Sequence, residues 1–432
     1  MKDIQHTSFN DRISVYKYNT DRFKSENITV YLALPTSREK SVARSLLLSV
    51  LKRGTQRYPT QKHINERLDE LYATLVNLKN QKFDGVQLLG VSADVIYSSY
   101  TENGEELLPD ALDVISQMLY HPNFDENTGR FRSEFIQSEK ENYKSIILSQ
   151  INEPRTYAAI RCREEMFASL GILEKLDTMC DRIDAVTNEE IYNCYLELIN
   201  EAKIIVFYVG NRSSDEIYQE VEKMVSTEGA FVSNIIKEIN PKLLPYVEAP
   251  QEIIESSDIT QGRLVMGFNC SVTWRDEEYY AMLLCNEILG ASPISKLMMN
   301  VREAMSLCYE CSSVYNSARG AIFVTTGIDS EKFALTKDAV LIQINDIKNG
   351  NISEKEFVAA KKSILNVYSA VADSPNAIER FYLGRIVNGI DSDIPEFIDK
   401  INALTVEQVI EAANKIAPHT IYFLRGKGDN DE

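Results

Sequence analysis

The amino-acid sequence repeats one order of elements twice, with a period of about half of its 432 residues. An apolar, strand-like run is followed in the first half by a helical pattern that reaches Gly54, and in the second half by one that reaches Gly290. We expect both glycines to cap the C-terminal ends of these helices. Because 432 residues are too many for one ordinary core, the repeat predicts two copies of one folding unit.

Later landmarks occur in the same order in both halves, and a hairpin pattern follows the second helix of each. The matching features are the helical stripe Ile64, Leu68, Leu71 and Tyr72 with Met298–Leu307, Glu134 with Glu356 at the start of a long helix, Pro154 with Pro375 at a helix break, Thr187 with Thr405 as N-caps, and Gly210 with Gly426 after a closing strand. Chance similarity between two unrelated units would not preserve this order.

The interspersed strands and helices, with hairpins in place of regular crossovers, predict an α+β fold. We expect two homologous lobes, each a mostly antiparallel sheet covered on one face by helices. The N-terminal lobe is predicted over 1–230 and the C-terminal lobe over 251–432. The linker between them, 231–250, is rich in proline.

The overall composition excludes several classes of partner. The formal net charge of −18 argues against nucleic acid and against an anionic membrane surface. No secretory signal pattern or membrane-spanning run is found, and seven cysteines suit free thiols in a reducing compartment. The sequence therefore predicts a soluble, cytoplasmic protein.

Two segments carry a resemblance to a known family, SLLLSVLKRGTQRYPT (Ser45–Thr60) and ASPISKLMMNVREAMSLCYECSS (Ala291–Ser313). Together with the repeat, they make the chain similar to the insulinase/mitochondrial-processing-peptidase family, whose fold is described as pitrilysin-like or LuxS/processing-peptidase-like. The chain most resembles the zinc-less subunit of shorter bacterial members that work as pairs. In such pairs, the resemblance implies, the lobes of both subunits enclose a chamber for a peptide.

The segment Ser45–Thr60 stands where active members carry HxxEH. Catalytic zinc needs about three protein ligands and an open position, and two histidines one helical turn apart supply two of them. Counting back from Gly54, Ser45 and Ser49 occupy the histidine positions and Leu48 the glutamate position. A serine hydroxyl is a poor zinc ligand and leucine transfers no proton, so we expect no metal site, no catalytic residue and no cofactor in this chain.

The resemblance puts the family's third ligand, a glutamate, near Lys144 and Ser145 in a long predicted helix. Its position stays open, because Glu139 and Glu141 lie close to these residues in the sequence. One carboxylate without the histidines does not hold zinc. The chain has four histidines, and no two of them are within one helical turn: His6, His63, His121 and His419. A local two-histidine site is therefore excluded, and His63 is expected to be a solvated or capping residue.

Arg302 and Tyr309 match the Arg and Tyr positions of the family's second lobe. The resemblance implies that they project toward the partner's zinc site, hold the substrate backbone and help to orient the scissile carbonyl. A guanidinium and a phenol are suitable donors for that task. The alternative is that Arg302 is a solvated helix residue and Tyr309 a half-buried strand residue.

Cys308 and Cys311 form a CxxC motif, which can indicate metal binding or redox chemistry. Both residues fall in a predicted strand, where their odd spacing sends the side chains to opposite faces. No second CxxC is present. We therefore expect no functional pair.

The leading hypothesis is a non-catalytic substrate-binding or regulatory subunit of a heterodimeric zinc peptidase. The partners are then a homologous HxxEH-bearing subunit and a peptide or protein substrate, and the chain alone is inactive. The alternative is a binding or scaffold protein of the same fold that takes no part in hydrolysis. A homodimer is also open.

Overall fold

A computed structural model of the chain describes residues 1–83, 85–225 and 242–426, and it contains two β-sheets. Sheet 1 has the strand order β1-β2-β6-β3-β5-β4, and sheet 2 the order β7-β11-β8-β10-β9. The strands are β1 (Ile4–Ser8), β2 (Ile13–Asn19), β3 (Ser25–Pro35), β4 (Leu75–Phe83), β5 (Val86–Ile96), β6 (Lys203–Gly210), β7 (Gln251–Ser257), β8 (Gly262–Asn269), β9 (Glu310–Asn316), β10 (Ala321–Ile328) and β11 (Ala417–Gly426).

The helices are α1 (Ser41–Leu51), α2 (Gln61–Glu70), α3 (Leu108–Tyr120), α4 (Ser133–Ile151), α5 (Pro154–Met166), α6 (Met179–Ala185), α7 (Asn188–Glu201), α8 (Ser214–Met224), α9 (Tyr279–Asn286), α10 (Phe333–Lys348), α11 (Glu354–Ser369), α12 (Pro375–Asn388), α13 (Ile394–Ala403) and α14 (Val406–Asn414). Two π-helical stretches, Glu287–Ala291 and Leu297–Ala304, follow α9. Short 3₁₀ turns span Ser98–Tyr100, Ala168–Leu170, Leu176–Thr178, Ser330–Lys332 and Ala370–Asp373. Among the described residues, no helix is both long and apolar enough to cross a bilayer.

The two sheets have the same pairing pattern, as the internal repeat predicts. In sheet 1 the central strand β3 pairs antiparallel with β5 and β6, and in sheet 2 the central strand β8 pairs antiparallel with β10 and β11. Each sheet has one parallel pair, β2 with β6 and β7 with β11. Both predicted hairpins form, as β4–β5 and β9–β10. The α+β class with two mostly antiparallel sheets is confirmed.

The described residues fall into two compact units that are not continuous in sequence. Unit 1 comprises the described parts of Met1–Ser145, Cys180–Asn240 and Val371–Asp393, and unit 2 the described parts of Ile146–Met179, Pro241–Ala370 and Ile394–Glu432. Helix α5, from the first half of the sequence, is therefore part of unit 2, and α12, from the second half, is part of unit 1. Residues 231–241 of the predicted linker lie outside the described part, and the lobe boundaries at 230 and 251 stay a prediction.

Helix α12 packs against sheet 1, where its Leu383 and Val387 contact Tyr31 of β3 and Ile205 of β6. All nine residues between the two ends of β3 are buried, so both faces of this strand are covered. In unit 2, α5 packs in the same way on β8 and β11, with Cys162 among its core residues. Each sheet is thus covered by its predicted helical layer and by one further helix, which comes from the other half of the sequence.

Several repeated landmarks have the predicted local structure. Thr187 and Thr405 are N-caps, and each forms a capping box with the residue three positions later. Pro154 and Pro375 each occupy the first turn of a helix, where the missing N–H is tolerated. Glu134 lies in the first turn of α4.

Three details of the predicted pattern are wrong. Helix α1 ends at Leu51, before Gly54, and Gly290 lies inside a π-helical stretch, so neither glycine is a C-cap. Instead, a Cβ at Gly54 would lie 2.3 Å from the carbonyl oxygen of Pro59, which shows that glycine permits a close approach of backbone there. Tyr72 follows α2 with a φ of 57° and is exposed, so it is not on the buried stripe of that helix.

Candidate functional site

Helix α1 of unit 1 contains the positions where the family resemblance puts HxxEH. Ser45 and Ser49 are half-buried one helical turn apart, and Leu48 is buried in the core. The Ser45 hydroxyl donates to the carbonyl of Ser41 at 3.0 Å and accepts from the Asn80 amide at 3.1 Å. The helix therefore offers hydroxyl and methyl groups where zinc needs imidazoles and a carboxylate.

A continuous set of hydrogen bonds occupies the polar side of α1. The Gln87 amide donates to the Asn80 side-chain oxygen at 3.1 Å, and the Gln87 oxygen accepts from Nη1 of Arg44 at 3.3 Å. Arg44 is 1% exposed and forms an ion pair with Glu197 of α7 at 3.1 Å. This network runs Arg44–Gln87–Asn80–Ser45. The buried guanidinium of Arg44 is one residue from Ser45, which stands at the first histidine position, and its positive charge disfavours a divalent cation there.

A second basic group approaches α1 from the β4–β5 hairpin. The ammonium of Lys82 donates to the Ser41 hydroxyl at 2.5 Å. Burial, together with the positive charges of Arg44 and Arg182, lowers the pKa of Lys82. Sequence reasoning missed Asn80, Lys82 and Glu197 because they come from other elements, and no local pattern marks them.

The region of the third ligand on α4 is also occupied. The Lys144 ammonium is 2.9 Å from both Glu141 and Asp184, so a cation belonging to the protein stands where the resemblance expects a ligand. Glu139, the other candidate, forms an ion pair with Arg53. In the part of the chain that the structure describes, no group of three or more His, Cys, Asp or Glu side chains is placed to hold a metal ion.

The four histidines are distributed over separate elements. His6 of β1 stacks on Tyr16 with ring centroids 4.3 Å apart, and His63 of α2 is exposed, with Nδ1 2.8 Å from the Thr60 hydroxyl. His121 is exposed at the end of α3, and His419 is buried in β11. The capping or solvated interpretation of His63 agrees with this position.

Arg302 and Tyr309 lie side by side on the surface of unit 2. Nε of Arg302 donates to the main-chain carbonyl of Tyr309 at 2.8 Å, and Nη1 forms an ion pair with Glu303 at 2.7 Å. The Arg302 side chain is 39% exposed and Tyr309 is 62% exposed. The Tyr309 hydroxyl donates to Asp329 at 3.1 Å. The structure therefore brings this predicted pair into direct contact.

This pair keeps donors that a ligand could use. Among the described residues, Nη2 of Arg302 has no hydrogen-bond partner, and a guanidinium can offer it to a carbonyl oxygen. Hydrogen bonds from Lys332, first, and from Tyr309 lower the pKa of Asp329, so the Tyr309 hydroxyl has an ionised acceptor. Tyr309 precedes β9 and is largely exposed, so the description of it as a half-buried strand residue is wrong.

The prediction for the CxxC motif is also wrong in its geometry. Cys308 lies before β9, and only Cys311 is in the strand. The alternation of side chains along a strand therefore does not apply to the pair.

Comparison with known proteins finds relatives among metalloprotease homologues. A family model described as the peptidase M16 inactive domain matches residues 185–364, a range that includes Arg302 and Tyr309. The probable inactive metalloprotease YmfF of Bacillus subtilis (strain 168) is 26% identical over 96% of this chain and 96% of its own length. The chain is similar to inactive members of the M16 peptidase family. The predicted relationship to the insulinase family and its inactive members is confirmed.

The chain is also similar to a protein that is named as a zinc protease. The uncharacterized zinc protease YmxG of the same Bacillus strain is 22% identical over 71% of this chain and 72% of its own length. A crystal structure of a conserved protein from Enterococcus faecalis V583 has a TM-score of 0.90 and 24% identity, and covers 99% of this chain and 100% of its own. That structural likeness shows that the two chains share one fold.

Proposed function

We propose that this M16 homologue is the substrate-binding subunit of a zinc-dependent peptidase whose metal lies in a homologous partner. The observation that carries the proposal is the contrast between its two site regions. Helix α1 has no zinc ligands at Ser45, Leu48 and Ser49, whereas Arg302 and Tyr309 form an exposed contact. A chain that had lost its function together with its metal site would have no reason to keep an ordered Arg–Tyr pair. The contact between Arg302 and Tyr309 on unit 2 therefore supports a retained substrate-binding role.

In this proposal the chain contributes binding and orientation, and the partner contributes the chemistry. The partner's HxxEH helix supplies zinc, the attacking water and the general base. Nη2 of Arg302 donates to a main-chain carbonyl of the peptide, while Nε stays on the Tyr309 carbonyl and holds the guanidinium plane in place. The Tyr309 hydroxyl leaves Asp329 to donate to a second carbonyl. Similarity to both YmfF and YmxG of one organism supports such pairs of inactive and zinc-bearing members.

The direct test is to measure metal content and peptidase activity for the purified chain, for an HxxEH-bearing homologue from the same genome, and for their mixture. We expect the chain alone to be inactive and the mixture to form a stable complex with zinc only in the partner. Hydrolysis that appears or rises strongly on mixing supports the proposal. Stoichiometric zinc and hydrolysis by the lone chain would refute it.

Replacing Arg302 with alanine is expected to lower kcat/KM of the mixed pair by about ten- to a hundredfold. A hydrogen bond to a charged donor contributes about 1.5–3 kcal/mol, and about 1.4 kcal/mol is a factor of ten in rate. Zinc content and complex formation should not change. Lys355, an exposed residue of α11, provides the control, since Lys355→Ala removes a positive charge away from the pair. Equal turnover by both variants would remove Arg302 from the substrate site.

A second candidate is a peptide-binding or scaffold protein with no part in hydrolysis. It is favoured by the internal contacts of the pair, because Arg302 is bound to Glu303 and the Tyr309 hydroxyl to Asp329. In this case the mixture with a zinc-bearing homologue shows no gain in activity, while the chain alone binds peptides. A homodimer and a cytoplasmic location stay predictions.

A further inference from the structure

Two neighbouring strands of sheet 1, β3 and β5, carry polar side chains at adjacent positions of their antiparallel ladder. Asn27 of β3 lies directly opposite Asp94 of β5, and Thr29 lies opposite Ser92. Residues that are directly opposite, and residues two apart along one strand, project from the same face of a sheet. These four side chains therefore share one face of sheet 1.

Three of the four side chains have an oxygen atom that no protein donor reaches. Oδ1 of Asn27, Oγ1 of Thr29 and Oδ1 of Asp94 are buried atoms without a hydrogen-bond partner among the described residues. Asn27 is 2% exposed and Thr29 is fully buried, whereas Asp94 is half-buried. A buried oxygen without a partner costs free energy, so a group that contacts all three would stabilise the fold. We call these three atoms the oxygen cluster.

The flanking positions of sheet 1 place apolar side chains beside the oxygen cluster. Asn27 lies opposite Val209 on β6. Thr29 lies opposite Phe207, and both apolar residues are fully buried. On the β4 side, the residue opposite Asp94 is an exposed leucine. In the part of the chain that the structure describes, the Asp94 carboxylate has no ion-pair partner, so its negative charge is not compensated by a lysine or arginine.

We propose that the oxygen cluster binds a monovalent alkali cation, sodium or potassium. Directly opposite Cβ atoms lie about 4.5–5.5 Å apart, so an amide and a carboxylate at these positions can both reach an ion between them. Carboxylate, amide and hydroxyl oxygens are the ligands that hard cations take. The single carboxylate balances one positive charge, whereas a divalent ion would leave an uncompensated charge among buried residues. Because Asp94 is only half-buried, the ion can enter from solvent.

The test measures the thermal unfolding midpoint of the full chain in sodium, potassium and choline chloride at equal ionic strength. A cation that binds only the folded chain raises the midpoint, and choline is too large for the site. We expect a rise of about 2 °C over choline chloride when the alkali ion is at about five times its dissociation constant. The salt with the larger rise identifies the ion. The proposed binding does not depend on a peptidase role.

Two variants assign the rise to the oxygen cluster. Asp94→Asn keeps the shape of the side chain but removes its charge, and it should abolish the rise. Thr29→Val removes one ligand and should reduce the rise. In choline chloride Thr29→Val should be at least as stable as the wild-type chain, because a methyl group replaces an unpaired buried hydroxyl. Asp69→Asn, at an exposed position of α2, is the matched control and should keep the full rise.

The wild-type chain alone can overturn the inference, so the test does not require the variants to fold. Equal midpoints in all three salts would show that no alkali ion binds the folded chain. A rise that persists in both Asp94→Asn and Thr29→Val would place the ion elsewhere and would also overturn the inference. Neither result would bear on the reconstituted peptidase, whose failure is measured separately by mixing the subunits.

Discussion

Replacing Glu26 with leucine is expected to lower the free energy of unfolding by about 3 kcal/mol, as for other buried ion pairs that lose one partner. Glu26 of β3 is fully buried, and its carboxylate accepts from Nε and Nη2 of Arg212 at 2.7 and 2.8 Å and from the Tyr208 hydroxyl at 2.6 Å. The variant leaves these donors without that acceptor. The effect stays at the lower end of the range because Arg212 retains its ion pair with Glu106 at 2.6 Å. Urea denaturation of the full chain measures it.

The double variant Glu26→Leu/Arg212→Met removes both charges, and we expect it to be more stable than Glu26→Leu alone, because no guanidinium then lies beside a leucine that cannot accept its hydrogen bonds. Glu66→Leu is the matched control, since Glu66 forms an ion pair with Lys62 on the exposed side of α2. The control should leave the urea midpoint nearly unchanged. If Glu26→Leu and Glu66→Leu have the same midpoint, the Glu26–Arg212 pair does not stabilise unit 1.

Gly54→Ala is expected to destabilise the chain by about 3 kcal/mol, the upper part of the usual range for overpacking. The new methyl carbon would lie 2.3 Å from the carbonyl oxygen and 2.7 Å from the carbonyl carbon of Pro59. These neighbours are backbone atoms, and the turn between them is closed by the bond from Thr55 N–H to the Tyr58 carbonyl at 2.8 Å. The backbone therefore has to move, and thermal or urea denaturation reports the loss.

Gly384 in the middle of α12 provides the matched control. An added Cβ there meets no atom within 4 Å, and alanine is the better helix former. We expect Gly384→Ala to raise the free energy of unfolding by up to about 1 kcal/mol. Opposite signs for the two substitutions would confirm that close approach of Pro59, and not helix capping, requires glycine at position 54. A neutral Gly54→Ala would contradict the turn geometry.

Features of the fold that depend on local sequence could be predicted. Thr187 and Thr405 cap helices because a hydroxyl before a helical run satisfies a free backbone N–H. The β4–β5 and β9–β10 hairpins follow from apolar runs joined by short polar loops. The absence of zinc ligands was also visible, because HxxEH is a contiguous motif, and Ser45 and Ser49 replace its histidines.

Features that depend on distant parts of the chain could not be predicted. Gly290 was expected to be a cap, but its role is to let Leu297 and Ser313 approach to within 2.8 Å of where a Cβ would lie. The alternation of side chains along a strand does not apply to the CxxC pair, because β9 begins only at Glu310. Both predictions depend on the residue at which a helix or strand begins or ends. Packing against other parts of the chain sets that residue, and the local sequence does not.

The sequence by itself determined that this chain has two copies of one α+β unit and that α1 cannot bind zinc, because both follow from side-chain chemistry at fixed spacing. Only the tertiary structure decided that α5 packs in unit 2 and α12 in unit 1. It alone showed that Arg302 donates to the Tyr309 carbonyl and that a chain of hydrogen bonds runs from Arg44 through Gln87 and Asn80 to Ser45. The physical reason is that these contacts join residues from separate elements, and their partners are selected by burial and hydrogen-bond satisfaction in the packed core.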